Sequence, residues 1–216
     1  MESIGWRHLL GTLAAAVPVT SLAEAVRVGA AAVAACGPDA DAHLRADLRP
    51  DRVELSLQTR ALGAVTEVDV GLVRAVTAAL AELGVGPAAP TSAQVGRPVQ
   101  LLELAVDALD VPAVRPFWRA VLALVDDPAD PGPTGALVDP VGQLPAVWFQ
   151  QMDAPRPERN RIHLDITVSH DEAAARVRAA LDAGGRLVSD AAARAFWVLA
   201  DPEGNEVCVC TWQDRD

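Results

Sequence analysis

The feature that most constrains this chain is a stretch in its middle, Gly86 to Pro98, with the sequence GPAAPTSAQVGRP. Proline and glycine oppose regular secondary structure, and the small polar residues around them have little apolar surface to bury. The 216 residues are enough for two domains, and with 51% apolar residues each can form a core without disulfide bonds. We therefore predict two domains, residues 1–86 and residues 99–216, joined by a linker of residues 87–98.

Composition excludes several classes of function. The net charge of −11 argues against binding to nucleic-acid phosphates, so we expect no nucleic-acid partner. We also expect no membrane partner, because the alanine-rich stretch Ala23 to Ala35 is too short to span a bilayer and carries charged residues. All 18 basic residues are arginine and tyrosine is absent, which excludes Schiff-base lysine and tyrosine acid–base chemistry.

The cysteines and the N-terminus indicate a cytoplasmic protein. The three cysteines are an odd number, and Cys208 and Cys210 lie two residues apart on a predicted strand, where they are poorly placed to bond each other. The chain begins without the basic and then apolar segments of a signal peptide. A reducing compartment fits both observations.

The sequence of the first half predicts secondary-structure elements in the order strand, strand, helix, strand, helix. Short apolar runs on both sides of Gly11-Thr12 predict a hairpin. Ser21 and Glu24 have the spacing of a capping box, which predicts a helix that ends at Gly37. Alternation over Val53 to Gln58 predicts a half-exposed strand. Thr66 is placed to cap a second long helix.

Five segments of the first half carry a resemblance to one family. They are Gly5-Trp6, Ser21 to Ala25, Asp47 to Arg49, Arg52 to Thr59 and Val65 to Asp69. These segments resemble the pterin-4a-carbinolamine dehydratases, whose fold is a small antiparallel sheet with helices on one face. The family uses histidines as general acids and bases to remove a hydroxyl group from a reduced pterin.

The resemblance also implies site residues in the first half. Of the family's three histidine positions, one falls on His43 and the others on Ala42 and Arg60. Asp69 matches an acidic residue of the family at the start of the second helix. The resemblance thus implies His43 as a catalytic residue and Arg60 and Asp69 as substrate-binding residues. Arginine does not carry protons near neutral pH, but it can hold an anion.

The second half repeats one pattern of elements twice. A strand precedes a helix and then further short strands, and the same order returns after Ile162. The predicted elements are Val99–Val106, Pro112–Leu124, Ala136–Val138 and Ala146–Gln150, followed by Ile162–Val168, Asp171–Ala183, Arg186–Val188, Phe196–Leu199 and Glu206–Thr211. This order predicts an α+β fold made of two βαβββ units.

Three segments of the second half resemble the glyoxalase-like branch of the vicinal-oxygen-chelate superfamily. They are Pro116 to Trp118, Arg161 to Ile166 and Trp197 to Val209, the last containing an Asp-Pro-x-Gly-Asn turn. The resemblance implies a half-barrel of paired βαβββ units with a small-molecule cleft. In this superfamily, side chains on the first and last strands of each unit hold a divalent metal that stabilises an oxyanion.

The resemblance places the four metal-ligand positions on Glu103, Gln150, His163 and Cys208. We expect these side chains to point into one cleft from equivalent strand positions. Because a Glu/Gln/His/Cys donor set is unusual, we expect no cofactor, with a divalent metal on these residues as the alternative. Glu103 and His163 are then the candidate catalytic residues of this domain.

The candidate substrate-binding residues of the second domain are Trp148, Gln150, Trp197 and Cys208. Trp148 and Trp197, with Phe149, are expected to form apolar walls of the cleft, and packing in the core is an equal alternative for the tryptophans. A small-molecule substrate is the expected partner.

Three functions remain open from the sequence. The first is a lyase- or isomerase-type enzyme that acts in the C-terminal cleft. The second is a non-catalytic binding or resistance protein for a small molecule. The third is a 4a-hydroxytetrahydrobiopterin dehydratase with an altered site.

The first domain has few large apolar side chains for its core, because Trp6 is the only aromatic residue among the first 85. Small domains of this kind gain stability by burying a further face. We therefore expect the two domains to dock and the chain to form a homodimer.

Overall fold

The computed structural model describes residues 5–88, 99–156, 158 and 162–214. Residue contacts divide the chain into two compact units, Met1–Leu101 and Leu102–Asp216. Of the predicted linker, residues 89–98 lie outside the described residues. Within the described ranges, no helix has the length and hydropathy needed to cross a bilayer.

The N-terminal unit combines an antiparallel sheet with helices. Its elements are β1 (Arg7–Leu9), β2 (Thr12–Pro18), α1 (Leu22–Cys36), α2 (Ala40–His43), β3 (Leu44–Leu48), β4 (Arg52–Leu57) and α3 (Glu67–Glu82). The sheet has the order β1-β2-β4-β3. Alternate residues of β2 and β4, such as Ala15 and Leu55, pack with Val28 of α1 and Val76 of α3 in one core, which also contains Trp6. The helices therefore cover one face of the sheet.

The hairpin predicted near the N-terminus is confirmed. Leu9 of β1 pairs with Thr12 of β2, which leaves Leu10 and Gly11 as the turn. Both turn residues have positive φ, 45° and 70°, as the two-residue turns that suit the twist of a hairpin require. The turn lies one residue earlier than the sequence suggested.

The helix boundaries also agree with the capping signals. The Ser21 hydroxyl accepts a hydrogen bond from the backbone N–H of Glu24 at 3.2 Å, and α1 ends where Gly37 adopts a φ of 56°. The strand β3 was not predicted. Only its first residue, Leu44, is buried, and as an edge strand it lacks the alternating pattern that marks a half-buried one.

The C-terminal unit contains two βαβββ modules. The first consists of β5 (Glu103–Ala108), α4 (Val111–Val121), β6 (Val125–Asp126), β7 (Leu137–Val138) and β8 (Ala146–Gln151). The second consists of β9 (Leu164–Thr167), α5 (Ala173–Asp182), β10 (Arg186–Ser189), β11 (Phe196–Ala200) and β12 (Glu206–Cys210). The sheet orders, β5-β8-β7-β6 and β9-β12-β11-β10, are the same in both modules. In each, the first strand pairs in parallel with the last, so the predicted repeat is confirmed.

The Asp-Pro-Glu-Gly-Asn turn between β11 and β12 ties the two modules together. The fully buried carboxylate of Asp201 accepts hydrogen bonds from Trp118 Nε1 of α4 (3.0 Å) and from the side-chain amide of Asn205 (2.8 Å). Its other oxygen accepts the backbone N–H groups of Glu203 and Asn205. The Glu203 carboxylate accepts the backbone N–H of Leu109 before α4, at 2.9 Å. This motif is therefore a structural joint.

Candidate functional site

The first module of the C-terminal unit presents an open sheet face. In the parallel pair β5–β8, Glu103 is opposite Ala146, Ala105 opposite Trp148, and Asp107 opposite Gln150. Paired residues share one face of a sheet. The intervening residues of both strands belong to the core. We call the opposite side the open face, and it comprises Glu103, Ala105, Asp107, Ala146, Trp148 and Gln150.

Trp148 is the one large apolar side chain among these six residues. It is 38% exposed, whereas Val147 and Phe149 beside it on the strand are at most 9% exposed. The residue opposite is the small Ala105, which leaves the indole uncovered on that side. Two carboxylates, Glu103 and Asp107, flank this position along β5. The open face thus combines an exposed aromatic ring with a few polar groups.

Cys208 lies on β12 of the second module in an apolar environment. It is opposite Asp165 of β9 and Val198 of β11, and it is 6% exposed. Burial, and then a hydrogen bond with Asp165, raises the pKa of the Cys208 thiol to about 12. Cys208 is therefore a protonated thiol near neutral pH.

The four predicted ligand positions differ in strand register between the two modules. Gln150 pairs with the residue four positions after Glu103, whereas Cys208 pairs with the residue two positions after His163. His163 itself lies just before β9 and is exposed. The two modules share their strand order but differ in this register. The position of Cys208 was predicted from its spacing after Gly204 in the turn, and that spacing carries no information on which residue of β9 it pairs with.

The donor set does not fit a divalent metal. Within residues 5–88, 99–156, 158 and 162–214, no three His, Cys, Asp or Glu side chains are placed together to hold one. Glu103, His163 and Cys208 therefore do not form such a group.

The two predicted tryptophans have different environments. Trp197 of β11 packs against the hydrophobic core, as does Phe149 of β8. Core packing, the alternative left open for the tryptophans, therefore describes Trp197. Trp148 lies on the open face instead. Of the predicted apolar walls, Trp148 is the one that is available to a ligand there.

A second cluster of candidate residues lies in the N-terminal unit. His43 is the last residue of α2, and Asp69 lies in the first turn of α3. The His43 Nδ1 and Asp69 Oδ1 atoms are 2.8 Å apart, and the two side chains are 10% and 0% exposed. The structure thus brings together a histidine and an acidic residue that are 26 positions apart in the chain.

Hydrogen bonds hold the Asp69 carboxylate in place. Its Oδ2 accepts the hydroxyl of Thr59 at 2.7 Å, the backbone N–H of Thr66 at 2.7 Å and the hydroxyl of Thr66 at 3.0 Å. Burial raises the pKa of Asp69, but the hydrogen bonds from His43, Thr66 and Thr59 outweigh it and lower the pKa below its ordinary value. Asp69 is therefore ionised near neutral pH.

An ionised Asp69 determines which ring nitrogen of His43 carries a proton. Nδ1 must donate to the carboxylate, so Nε2 is the nitrogen that can exchange a proton with a substrate. This is the arrangement of an oriented general base. The sequence pointed to His43 and Asp69, but it marked Thr66 only as a helix cap and Thr59 only as the end of a family-like segment.

The Arg60 side chain reaches the first residue of β3, which directly follows His43. It begins a 3₁₀ turn, Arg60–Leu62, and its Nη2 donates to the carbonyl of Leu44 at 2.6 Å. Leu44 directly follows His43, and α2 packs against this turn. His43, Arg60 and Asp69 are therefore neighbours in one region of the N-terminal unit.

The sequence of the C-terminal unit matches a known family. The family model of the glyoxalase-like domain covers residues 103–210, which is half of the chain. The chain belongs to the glyoxalase-like domain family. At the family level it is a small-molecule enzyme or binding protein. Members bind small-molecule substrates and often act as dimers.

Solved structures with this fold are similar to about half of the chain. A glyoxalase/bleomycin resistance protein/dioxygenase family enzyme from Burkholderia phytofirmans PsJN is 17% identical, with 52% of this chain and 98% of that chain covered and a TM-score of 0.43. A glyoxalase/bleomycin resistance protein from Albidiferax ferrireducens T118 is 18% identical, with 50% and 95% covered and a TM-score of 0.39. No curated protein matches. Membership of the glyoxalase-like family therefore rests on the sequence match, and the dehydratase resemblance of the first half stays a prediction.

Proposed function

We propose that the glyoxalase-like unit binds a small, planar organic molecule on the open face, with Trp148 as the stacking surface. The observation that carries this proposal is the 38% exposure of Trp148 on a sheet face that Glu103, Asp107 and Gln150 share. A large aromatic side chain beside a few polar groups is typical of small-molecule sites. Asp107 already lies 3.9 Å from Arg156 Nη1, so Glu103 is the carboxylate of this face that favours a ligand with a cationic group.

We favour binding over a lyase or isomerase reaction in this unit. A proton transfer here would use Glu103 or His163, and among the described residues neither side chain has a hydrogen-bond partner that orients it. The metal that the family uses does not fit the donors present. What supports the non-catalytic function is therefore a stacking surface without an oriented acid or base. Product analysis after incubation with a bound ligand tests the alternative.

Replacing Trp148 with alanine is expected to weaken binding of acridine orange, a planar aromatic cation, by tenfold or more. A tenfold loss corresponds to about 1.4 kcal/mol, in the range of an aromatic contact with cation–π character. Fluorescence titration of the full chain measures the affinity, and a chelator in the buffer is expected to leave it unchanged.

Trp212 provides the matched control for this titration. It is 70% exposed and lies after β12, where its ring contacts His170. Trp212→Ala removes an indole from the same unit and is expected to leave the affinity within about twofold of wild type. Equal losses in the two variants would show that the dye binds exposed tryptophans without preference, contrary to the proposal.

The N-terminal unit supports a second candidate function, dehydration of a 4a-hydroxytetrahydropterin. The observation that favours it is the hydrogen bond between His43 and the buried Asp69, which leaves His43 Nε2 free to carry a proton to the departing hydroxyl. The C–O bond then breaks to release water, and the neighbouring ring N–H gives its proton to solvent as the C=N bond forms. Arg60 stands at another of the family's histidine positions, so His43 would act without that partner.

Replacing His43 with glutamine is expected to lower the rate of this dehydration by about 10²–10⁴-fold, as loss of one general acid–base group does. Stopped-flow absorbance with a 4a-hydroxytetrahydropterin measures the rate over the spontaneous reaction. The exposed His8 of β1 is the control, and His8→Gln should retain the wild-type rate. A wild-type chain that does not accelerate the reaction would exclude this candidate.

A further inference from the structure

We infer that the His43 region binds a ligand that carries a small oxyanion, a carboxylate or a phosphate, and that Arg60 holds this group. The inference rests on the proton-transfer site proposed above for His43 and adds the charge class of its ligand. The observation behind it is that Arg60 is exposed, fixed by one hydrogen bond to a backbone carbonyl, and without a carboxylate partner among the described residues.

The Leu44 carbonyl positions the Arg60 guanidinium, but no carboxylate among the described residues neutralises its charge. One N–H is bonded to the Leu44 carbonyl at 2.6 Å, which holds the group at the start of β3. A guanidinium has five N–H donors in a planar fork that matches the geometry of carboxylates and phosphates. Donors therefore remain for a ligand after the contact with Leu44 is made.

The buried carboxylate of this cluster does not compete for Arg60. Asp69 is fully buried, and its two oxygens accept hydrogen bonds from His43, Thr59 and Thr66. Two arginines of this unit, Arg49 and Arg52, differ in this respect because they form ion pairs with acidic side chains. An oxyanion from a ligand would supply the partner that the described part of the chain does not.

Arg60 lies close enough to His43 for one ligand to contact both residues. The 3₁₀ turn that contains Arg60 packs against α2, which ends at His43, and the carbonyl that holds Arg60 belongs to the next residue. Asp69 orients the His43 ring from Nδ1, so Nε2 faces away from that carboxylate. A ligand held by its oxyanion at Arg60 would have its remaining atoms beside a histidine that can exchange a proton.

The test is an NMR titration of the full chain with sodium phosphate and, separately, sodium acetate, at constant pH and ionic strength. The His43 ring resonances are expected to shift saturably with at least one of the two anions, and the preferred anion distinguishes a phosphoryl from a carboxylate ligand. The resonances of the exposed His8 should not follow. Arg60→Gln is expected to weaken the binding tenfold or more.

Arg74→Gln is the matched control because Arg74 is an exposed arginine on α3 of the same unit. It makes the same change of charge and is expected to keep wild-type binding. Unfolding midpoints of both variants near the wild-type value show that the unit is intact. Equal binding by the two variants, or no saturable shift in the wild type, would overturn the inference.

The pterin assay separates this inference from the function on which it rests. A saturable shift that depends on Arg60, without turnover of the neutral 4a-hydroxytetrahydropterin, supports the anion site and excludes the dehydratase. Turnover of that substrate without any anion-dependent shift supports the dehydratase and overturns the anion site.

Discussion

Replacing Asp201 with asparagine is expected to lower the free energy of unfolding of the C-terminal unit by about 2–5 kcal/mol. The substitution keeps the shape of a fully buried side chain but exchanges one acceptor oxygen for an NH₂ group. Oδ2 of Asp201 accepts both Trp118 Nε1 and the Asn205 amide, and Oδ1 accepts two backbone N–H groups. Whichever way the new amide turns, two N–H donors face a donor instead of an acceptor, and an unsatisfied donor that water does not reach costs about 1–3 kcal/mol.

Urea unfolding of the full chain, followed through amide NMR signals of the C-terminal unit, measures this loss separately from the N-terminal unit. Asp182→Asn is the control, since Asp182 is an exposed residue at the end of α5. Its effect should lie within about 0.5 kcal/mol. If Asp201→Asn were no more destabilising than the control, the turn would not be the joint between the two modules.

Replacing Asp69 with asparagine is expected to lower the free energy of unfolding of the N-terminal unit by about 2–4 kcal/mol near neutral pH. The buried carboxylate accepts His43 on one oxygen and Thr59 and Thr66 on the other. With its oxygen toward Thr59 and Thr66, the amide turns its NH₂ group toward His43, so the charge-assisted contact is lost even where the ring changes tautomer to accept from it. The helix α3 also loses part of the capping contact at Thr66, because the Thr66 N–H has no partner within the helix.

The effect of Asp69 on stability should depend on pH. Its pKa is lowered in the folded chain, so its stabilising contribution is complete above its unfolded pKa of about 3.9 and is lost as the pH falls through the folded value. The difference between wild type and Asp69→Asn should therefore shrink as the pH is lowered below about 4. Urea unfolding followed through amides of the N-terminal unit, at neutral and acidic pH, measures this.

Glu82→Gln makes the same chemical change at the exposed end of α3 and is the control for Asp69. It should change the unfolding free energy by less than about 0.5 kcal/mol at either pH. A constant difference between wild type and Asp69→Asn across the acidic range would show that Asp69 does not titrate as its contacts imply.

The sequence predicted those features that depend on neighbours along the chain. Ser21 and Thr66 mark helix starts because a side-chain oxygen must satisfy N–H groups one turn away. The alternation in β4 appears because one side of that strand is buried and the other is not. The doubled order of strands and helices in the second half was visible for the same reason.

Contacts between distant segments were decided by the tertiary structure. The strand β8 has a large aromatic ring on each side, Trp148 and Phe149, and its local pattern does not say which side meets the core. The offset between Gln150 and Cys208 depends on which residues of β5 and β9 they pair with, and strand register is set by packing of whole faces.

The candidate sites divide in the same way. The residue types at His43, Asp69 and Arg60 were apparent from the sequence, because the resemblance placed them at family positions. Their hydrogen bonds, the role of Thr59 and the function of Asp201 as a joint depend on segments that meet only in the folded chain. Sequence patterns report local periodicity and capping, whereas burial and hydrogen-bond partners are set by packing between elements far apart in the chain.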